Sequence, residues 1–284
     1  MKTGKFIAKP WEDYELLDCG NGRKLERFGQ VVLDRPEVNA ENPPKWESSK
    51  WKELTHSRFS QISANSGSWT SGLNDWKINY TSNFNLELNL GLNKFKHVGV
   101  FPEQSSNWDY IFSALEGKTN PKALNLFAYT GAASLVAKAA GADIIHVEAF
   151  SQLISKAKEN MESSALSDVR WLKEDALKFT LKEAKRERKY DMIIMDPPTY
   201  GRGPKGEIWK IDKHLMQLIE ATSEILKSGG SIVVNTYSGI PPRNLAEKLK
   251  THIQFSQLEA GELILKAASG AQFVTGSLVR GQVV

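Results

Sequence analysis

The sequence predicts an α/β fold: a doubly wound, mostly parallel sheet of seven strands, preceded by a smaller β-rich domain. Three observations predict it. From Gly99 onward, short apolar runs alternate with stretches of helical periodicity, as in a parallel sheet covered by helices. Before that point, period-two alternation dominates, most clearly in Phe84-Asn-Leu-Glu-Leu-Asn-Leu90, and Gly, Asn and Pro mark the turns. Third, the buried run Met192-Ile-Ile-Met195 stops on Asp196-Pro197-Pro198, which places an acid at a strand end, where open α/β sheets bind ligands. The expected domains are 1–98 and 99–284.

Composition sets the outer limits. The 284 residues are 40% hydrophobic and 25% charged, enough for a substantial core. A net charge of +4 permits a polyanionic partner without demanding one. The single cysteine, Cys19, excludes an internal disulfide and a Cys-rich metal site and fits a reducing compartment, so a cytoplasmic location and no metal are expected. The first residues lack the apolar core of a leader, and no run approaches the roughly 18 residues needed to span a bilayer, so no membrane partner is expected.

In order along the chain, 14–28 reads as a hairpin about Gly20-Asn21-Gly22, because such residues supply the positive φ that tight turns need. The stretches 35–44 and 63–68 read as connections. Five of the eight tryptophans (Trp11, Trp46, Trp51, Trp69 and Trp76) precede residue 100. They are expected to fill a small core short of aliphatics, the alternative being stacking surfaces for single-stranded nucleic acid. A helix over 104–115 follows. Strands are then expected at 123–129, 144–148, 169–173, 192–195 and 231–236. The helices between and after them are expected at 131–140, 151–165, 176–188, 208–226 and 242–252. A pair of strands, 255–265 and 273–281, closes the sheet.

The turn after the first strand of this series has one glycine, Gly131, where a dinucleotide loop has three, which argues against a pyrophosphate-containing ligand. About twenty residues on, the next strand ends at Glu148, spaced to accept both hydroxyls of a ribose, so the ligand is read as a nucleoside without phosphates. The plainer role for Glu148 is to complement a helix start. Asp175 either caps the helix over 176–188 or takes the exocyclic amine of an adenine. Beyond Asp196, the two prolines fix φ and offer no N–H, giving a rigid corner of acceptors. Arg202, Lys205 and Lys210 then stand ready for phosphates, unless they form a solvated lid, and Trp209 is read as a stacking or packing residue.

Together, G-V-F-P-E-Q (99–104), N-L-F-A-Y-T-G-A-A-S (125–134), V-E148, E-D175-A and D-P-P-T-Y-G-R-G (196–203) carry a resemblance. The chain resembles the class I S-adenosylmethionine-dependent methyltransferases, and more closely the branch typified by 23S ribosomal RNA large-subunit methyltransferases. The resemblance implies a Rossmann-like domain that binds S-adenosyl-L-methionine. Tyr129, Thr130 and Gly131, with Phe127 alongside, would hold its methionine part. Glu103 and Gln104 would reach over it, Glu148 would hold the ribose and Asp175 the adenine. The acids, Asp196 included, would offset its sulfonium charge.

Asp196 and the Pro197 carbonyl are expected to orient a substrate amine, with Tyr200 stacked on a planar base and Asn235 near the substrate. Thr199 departs from the related D-P-P-aromatic pattern. Related enzymes that methylate pyrimidine carbon 5 use a cysteine after the fifth strand; here that strand ends V-V-N-T-Y-S-G. A nitrogen acceptor on RNA, ribosomal by resemblance, is therefore expected. Methylation of a protein side chain or small molecule, or a non-catalytic RNA-binding role, are the alternatives.

Overall fold

A computed structural model describes all residues except Lys9, Ala64, Asn65, Pro204 and Lys205. The expected role of Lys205 and the middle of the 63–68 connection therefore lie outside the described residues.

In chain order the elements begin with β1 (Lys2–Ile7), β2 (Tyr14–Gly20), β3 (Arg23–Phe28), β4 (Val31–Pro36), α1 (Ser48–Leu54), β5 (Ser57–Ser63), β6 (Ser66–Trp69), β7 (Trp76–Thr81) and β8 (Asn85–Leu90). After a 3₁₀ turn at Pro102–Gln104 come α2 (Ser105–Leu115), β9 (Lys122–Leu126), α3 (Ala132–Ala139), β10 (Asp143–Glu148), α4 (Ser151–Ser163), β11 (Arg170–Lys173) and α5 (Ala176–Lys185). The remainder is β12 (Tyr190–Met195), β13 (Tyr200–Arg202), β14 (Ile208–Lys210), α6 (Ile211–Ile225), β15 (Leu226–Thr236), α7 (Pro242–Lys250), β16 (Phe255–Lys266) and β17 (Gln272–Val283). Among the described residues, no helix is long and apolar enough to cross a membrane.

Internal packing divides the chain into two compact units. The first comprises Met1–Phe6, Asn107–Leu263 and Gly276–Val284; the second comprises Ile7–Ser106 and Ile264–Thr275. Both units are assembled from separated stretches, whereas the sequence division at 98/99 is contiguous.

The first unit is built on an eight-stranded sheet in the order β1-β16-β17-β15-β12-β9-β10-β11. Strands β9, β10, β11, β12 and β15 are parallel, and β17 returns antiparallel to β15. This is the expected doubly wound sheet with one strand added. The extra strand is β1, whose charged, largely exposed sequence Lys-Thr-Gly-Lys-Phe-Ile carries no apolar pattern. Gly261 permits its close approach: a Cβ there would stand 2.1 Å from the Gly4 carbonyl oxygen. The central strands read as continuous apolar runs because both faces are covered; Leu124, Leu126, Val147, Ile193, Met195, Ile232 and Val234 lie in one core with Leu215, Leu218 and Ile219 of α6.

The second unit holds a five-stranded sheet, β2-β3-β4-β5-β6, and the separate hairpin β7-β8. The expected turn joins β2 and β3 with Asn21 at φ 52° and Gly22 at φ 74°. The expectation that tryptophan fills this core is met in part: Trp11 packs on Tyr14 and Tyr80 and Trp69 on Phe59, but aliphatics supply most of it. Leu16, Leu25, Phe28, Leu33, Ile78, Leu86, Leu88 and Leu90 are buried, while Trp11, Trp46, Trp51, Trp69 and Trp76 are all only half-buried. The alternation of β7 and β8 contributes Ile78, Leu86, Leu88 and Leu90 to it.

A buried ionic network crosses this sheet. Glu26, fully buried on β3, accepts from Tyr14 Oη at 2.9 Å and from Arg35 Nε at 2.8 Å, with a second bond from Arg35 Nη2. Lys24 Nζ stands 3.5 Å from the same carboxylate. Burial alone raises the Glu26 pKa, but the Arg35 and Lys24 charges and the hydrogen bonds outweigh it and hold the group below its ordinary value.

Removing one partner of such a pair leaves an uncompensated buried charge. Arg35→Ala is expected to destabilise the second unit by about 3–5 kcal/mol in urea unfolding, whereas Glu26→Leu/Arg35→Met together cost far less. Equal losses from the two variants would contradict this account of the network.

Candidate active site

The strand order reverses at β9. The chain steps from β9 to β10 and β11 on one side, then crosses to β12 and β15 on the other. Crevices at such switch points, outside the carboxyl ends of the strands, are where open α/β sheets bind ligands. The register aligns those ends, with Leu126 of β9 beside both Val147 of β10 and Met195 of β12, and Glu148 beside Lys173 of β11. The chain thus emerges from neighbouring strands as Phe127, Glu148, Glu174 and Asp196.

The turn leaving β9 is conformationally unusual. Phe127, Tyr129 and Gly131 have φ of 57°, 51° and 89°, alternating left-handed positions over five residues. Left-handed conformations at non-glycine residues cost of order 1–3 kcal/mol each and persist where the surroundings over-determine them. Here Ala128 N donates to Val147 O (3.1 Å), Tyr129 N to Glu148 Oε2 (3.0 Å) and Asn160 Nδ2 to Thr130 O (2.9 Å). The expected strand over 123–129 therefore ends at Leu126. A Cβ on Gly131 would lie 3.0 Å from Ala157 Cβ, so α4 packs tightly against the turn.

Glu148 is nearly buried and also accepts from Phe150 N at 3.1 Å. Burial raises its pKa, opposed by the backbone donors Phe150, Tyr129 and Ala149. Each of its oxygens retains further acceptor capacity, which suits a pair of hydroxyls. Asp175 is the N-cap of α5, accepting from Lys178 N at 2.8 Å, as the simpler reading of that residue required. Its neighbour Glu174 is tied to Lys182 at 2.6 Å.

His146 lies beneath the turn. It is completely buried, with Nδ1 3.0 Å from Ser134 Oγ and its ring against Trp171, and Ser134 Oγ in turn accepts from Asn125 Nδ2. Burial pushes its pKa down to about 3, so the imidazole is neutral. It was missed in the sequence because a polar residue inside an apolar strand gives no periodic signal.

Beyond β12, Pro197 is buried and Asp196 half-buried. The Thr199 carbonyl accepts from Ile211 N, so this additional residue helps start α6 and moves Tyr200 into β13. The expected helix over 208–226 begins only at Ile211 because Ile208–Lys210 pair antiparallel with Tyr200–Arg202.

In this hairpin Gly201 faces Trp209 across the ladder, while Tyr200 faces Lys210 and Arg202 faces Ile208. Trp209 is buried, donates from Nε1 to Pro198 O at 2.6 Å and packs edge-on to Phe127 at 4.9 Å. It is a packing residue. Tyr200, Arg202 and Ile208 are exposed, with Arg202 Nε 2.8 Å from Tyr200 Oη, and Lys210 is half-buried.

Asn235, expected near the substrate, is buried, with Oδ1 accepting from Asn107 Nδ2 at 3.1 Å. Its side chain is engaged by Asn107 inside the first unit. Glu103 and Gln104 belong to the second unit, where Glu103 is buried and its pKa is raised by that burial.

A family model for S-adenosylmethionine-dependent methyltransferases matches residues 25–253. The chain belongs to this family. Its cofactor is S-adenosylmethionine. The crystal structure of the SAM-dependent methyltransferase from Agrobacterium tumefaciens superposes with a TM-score of 0.91 at 32% identity, covering 99% of this chain and 95% of that one. A methyltransferase structure complexed with SAH shares the fold at 18% identity, TM-score 0.75, over 95% of this chain and 75% of that one.

Among curated relatives, ribosomal RNA large subunit methyltransferase I of Shewanella amazonensis is 26% identical over 70% of this chain and 51% of its own length. Ribosomal RNA large subunit methyltransferase K/L of Shewanella frigidimarina is 26% identical over 54% of this chain and 21% of its own length. The chain spans about half the length of the curated type I relatives it matches.

The residues at this edge suit the cofactor. The lone Gly131 and the left-handed turn suit a ligand without a pyrophosphate, Glu148 offers carboxylate oxygens to hydroxyls, and the acids complement a cation.

Gly131→Ala combines a left-handed φ with the 3.0 Å contact to Ala157. It is expected to cost about 1–2 kcal/mol in denaturant unfolding and to weaken S-adenosylmethionine binding in calorimetric titration. The folded pKa of His146 lies below its unfolded value of 6.5, so the unfolded state binds the extra proton, and stability is lost as pH falls from about 6.5 toward 3. Between pH 7 and 5 the wild type should lose about 2 kcal/mol through this residue. His146→Gln should flatten that part of the stability profile; an unchanged profile would show that the pKa of the ring does not shift on folding.

Proposed function

We propose that this methyltransferase transfers a methyl group from S-adenosylmethionine to a nitrogen of an unpaired RNA base, with ribosomal RNA as the substrate. One observation carries the choice of nitrogen. An acid-proline corner, Asp196-Pro197-Pro198, follows directly on the strand end beside the switch-point turn, in a chain whose sole cysteine is a poor nucleophile. Cys19 is buried, and burial pushes its thiol up to about 11. Methylation at carbon 5 of a pyrimidine needs a thiolate nucleophile; amine methylation needs only alignment of a lone pair and removal of a proton. The names of the curated relatives support ribosomal RNA as the substrate.

In this reading Tyr129, Thr130 and Gly131, flanked by Phe127, hold the methionine part of the cofactor. Glu148 takes the ribose and Asp175 the adenine. When bound, the cofactor supplies an electrophilic methyl on a cationic sulfur. The Asp196 carboxylate and Pro197 carbonyl accept hydrogen bonds from the substrate nitrogen and turn its lone pair toward that methyl. As the nitrogen–carbon bond forms and the sulfur–carbon bond breaks, the nitrogen's proton passes to Asp196 or to water. Tyr200 stacks on the base, and Arg202 and Lys210 take phosphates. A base within a duplex must flip out to reach this corner.

Calorimetric titration with S-adenosylmethionine should show binding by the wild type, and its absence would sink the cofactor assignments. Asp196→Ala should bind the cofactor within about tenfold of wild type yet lose about a hundredfold or more in transfer, as expected of an interaction made mainly in the transition state. Normal transfer by that variant removes Asp196 from the chemistry. Mapping of ribosomal RNA from a deletion strain should reveal one nucleotide without its methyl group; an unaltered profile points to a protein or small-molecule acceptor.

A further inference from the structure

We propose that the second unit carries its own groove for single-stranded RNA, built on Trp46, Trp51, Lys52 and Arg58. The idea rests on the reading of RNA as the substrate and adds a site remote in sequence from the corner at Asp196. The groove is open, with a volume of about 800 Å³.

Three cations, Arg23, Lys52 and Arg58, line it against a single carboxylate, Asp34. Arg23 is committed to the fold: Nε stands 2.5 Å from Asp34 Oδ1, and Nη2 donates to the Asp34 and Phe59 carbonyls. Arg58 reaches Asp34 at 3.4 Å, but its side chain is 54% exposed. Lys52 is exposed on α1. The groove therefore presents a positive surplus at two solvent-facing side chains, as a phosphate backbone requires.

The indoles supply the second argument. Trp46 and Trp51 remain half-buried although the core of the unit is closed by aliphatics. Their segment is nevertheless held rigidly by Asp18, a fully buried carboxylate at an irregularity in β2. Asp18 Oδ1 accepts from Lys45 N (3.2 Å) and Ser269 Oγ (2.6 Å); Oδ2 accepts from Trp46 N (2.8 Å) and Trp51 Nε1 (2.8 Å). Lys50 Nζ lies 3.4 Å from the Trp46 ring centroid.

Four donors on one buried carboxylate thus anchor the segment that carries both indoles, with the Trp51 ring held directly through Nε1 and Trp46 through its backbone. Rigid, partly exposed rings beside cations stack unpaired bases with little entropy left to lose. A duplex keeps its base faces stacked, and an acidic peptide would leave the indoles idle, so an unpaired strand fits best.

Fluorescence anisotropy with a labelled single-stranded oligouridine of about ten nucleotides tests the groove. Lys52→Gln and Arg58→Gln alter exposed side chains while Arg23 stays on Asp34, and should leave the fold intact; together they should weaken binding about tenfold or more and flatten its salt dependence. Trp46→Ala should weaken binding about tenfold while cofactor affinity, measured by calorimetry, stays at the wild-type value. Oligouridine binding that is indifferent to all three substitutions overturns the groove and leaves the RNA reading standing. Conversely, groove-dependent binding in an enzyme that transfers no methyl to any RNA supports the groove and sinks that reading. Tight groove-dependent binding of poly-glutamate in place of oligouridine overturns the proposal in favour of an acidic protein partner.

Discussion

Glu148 holds two loops at once, accepting from Tyr129 N after β9 and from Phe150 N after β10. The turn from Phe127 to Gly131 adopts a shape that its own residues disfavour, and the carboxylate is part of what keeps it there. The cost of burying an acid is reduced, not cancelled, by those same backbone donors. Pre-organisation of the switch point is therefore an electrostatic arrangement laid over a packing one: α4 closes on Gly131 from behind, and neutral His146 fills the space below.

The second unit is organised the same way with different residues. Glu26 gathers Tyr14, Lys24 and Arg35 inside the five-stranded sheet. Asp18 gathers the segment that carries Trp46 and Trp51. Both acids sit on strands joined by the turn at Asn21 and Gly22. The hairpin thus positions two carboxylates, one gathering partners from its own neighbourhood in the chain and the other reaching as far as Ser269.

What the sequence made legible follows from range. Period and turn chemistry are local, so the alternation of strands and helices after Gly99 and the turn at Asn21-Gly22 were readable. Residues tied to a strand end by spacing, such as Gly131 and Glu148, were readable too, because a parallel strand must end where its apolar run ends. Features decided by contacts from elsewhere were not. β1 has no apolar signature and is defined by pairing with β16. Ile208–Lys210 carries helical residues but is drawn into a hairpin by Tyr200–Arg202. Asn235 reads as a polar residue at a strand end and is instead engaged by Asn107, 128 positions away. The half-buried tryptophans show the same limit, since composition alone does not reveal that β7 and β8 contribute aliphatics to the core.

The hairpin Tyr200–Lys210 separates two duties along a period of two. Gly201 and Trp209 share one face, and through Trp209 that face reaches Pro198 and Phe127. Tyr200, Arg202, Ile208 and Lys210 share the other. Change on the outer face leaves that anchor undisturbed, so Tyr200, Arg202, Ile208 and Lys210 can vary without loosening the packing of Trp209 on Pro198 and Phe127.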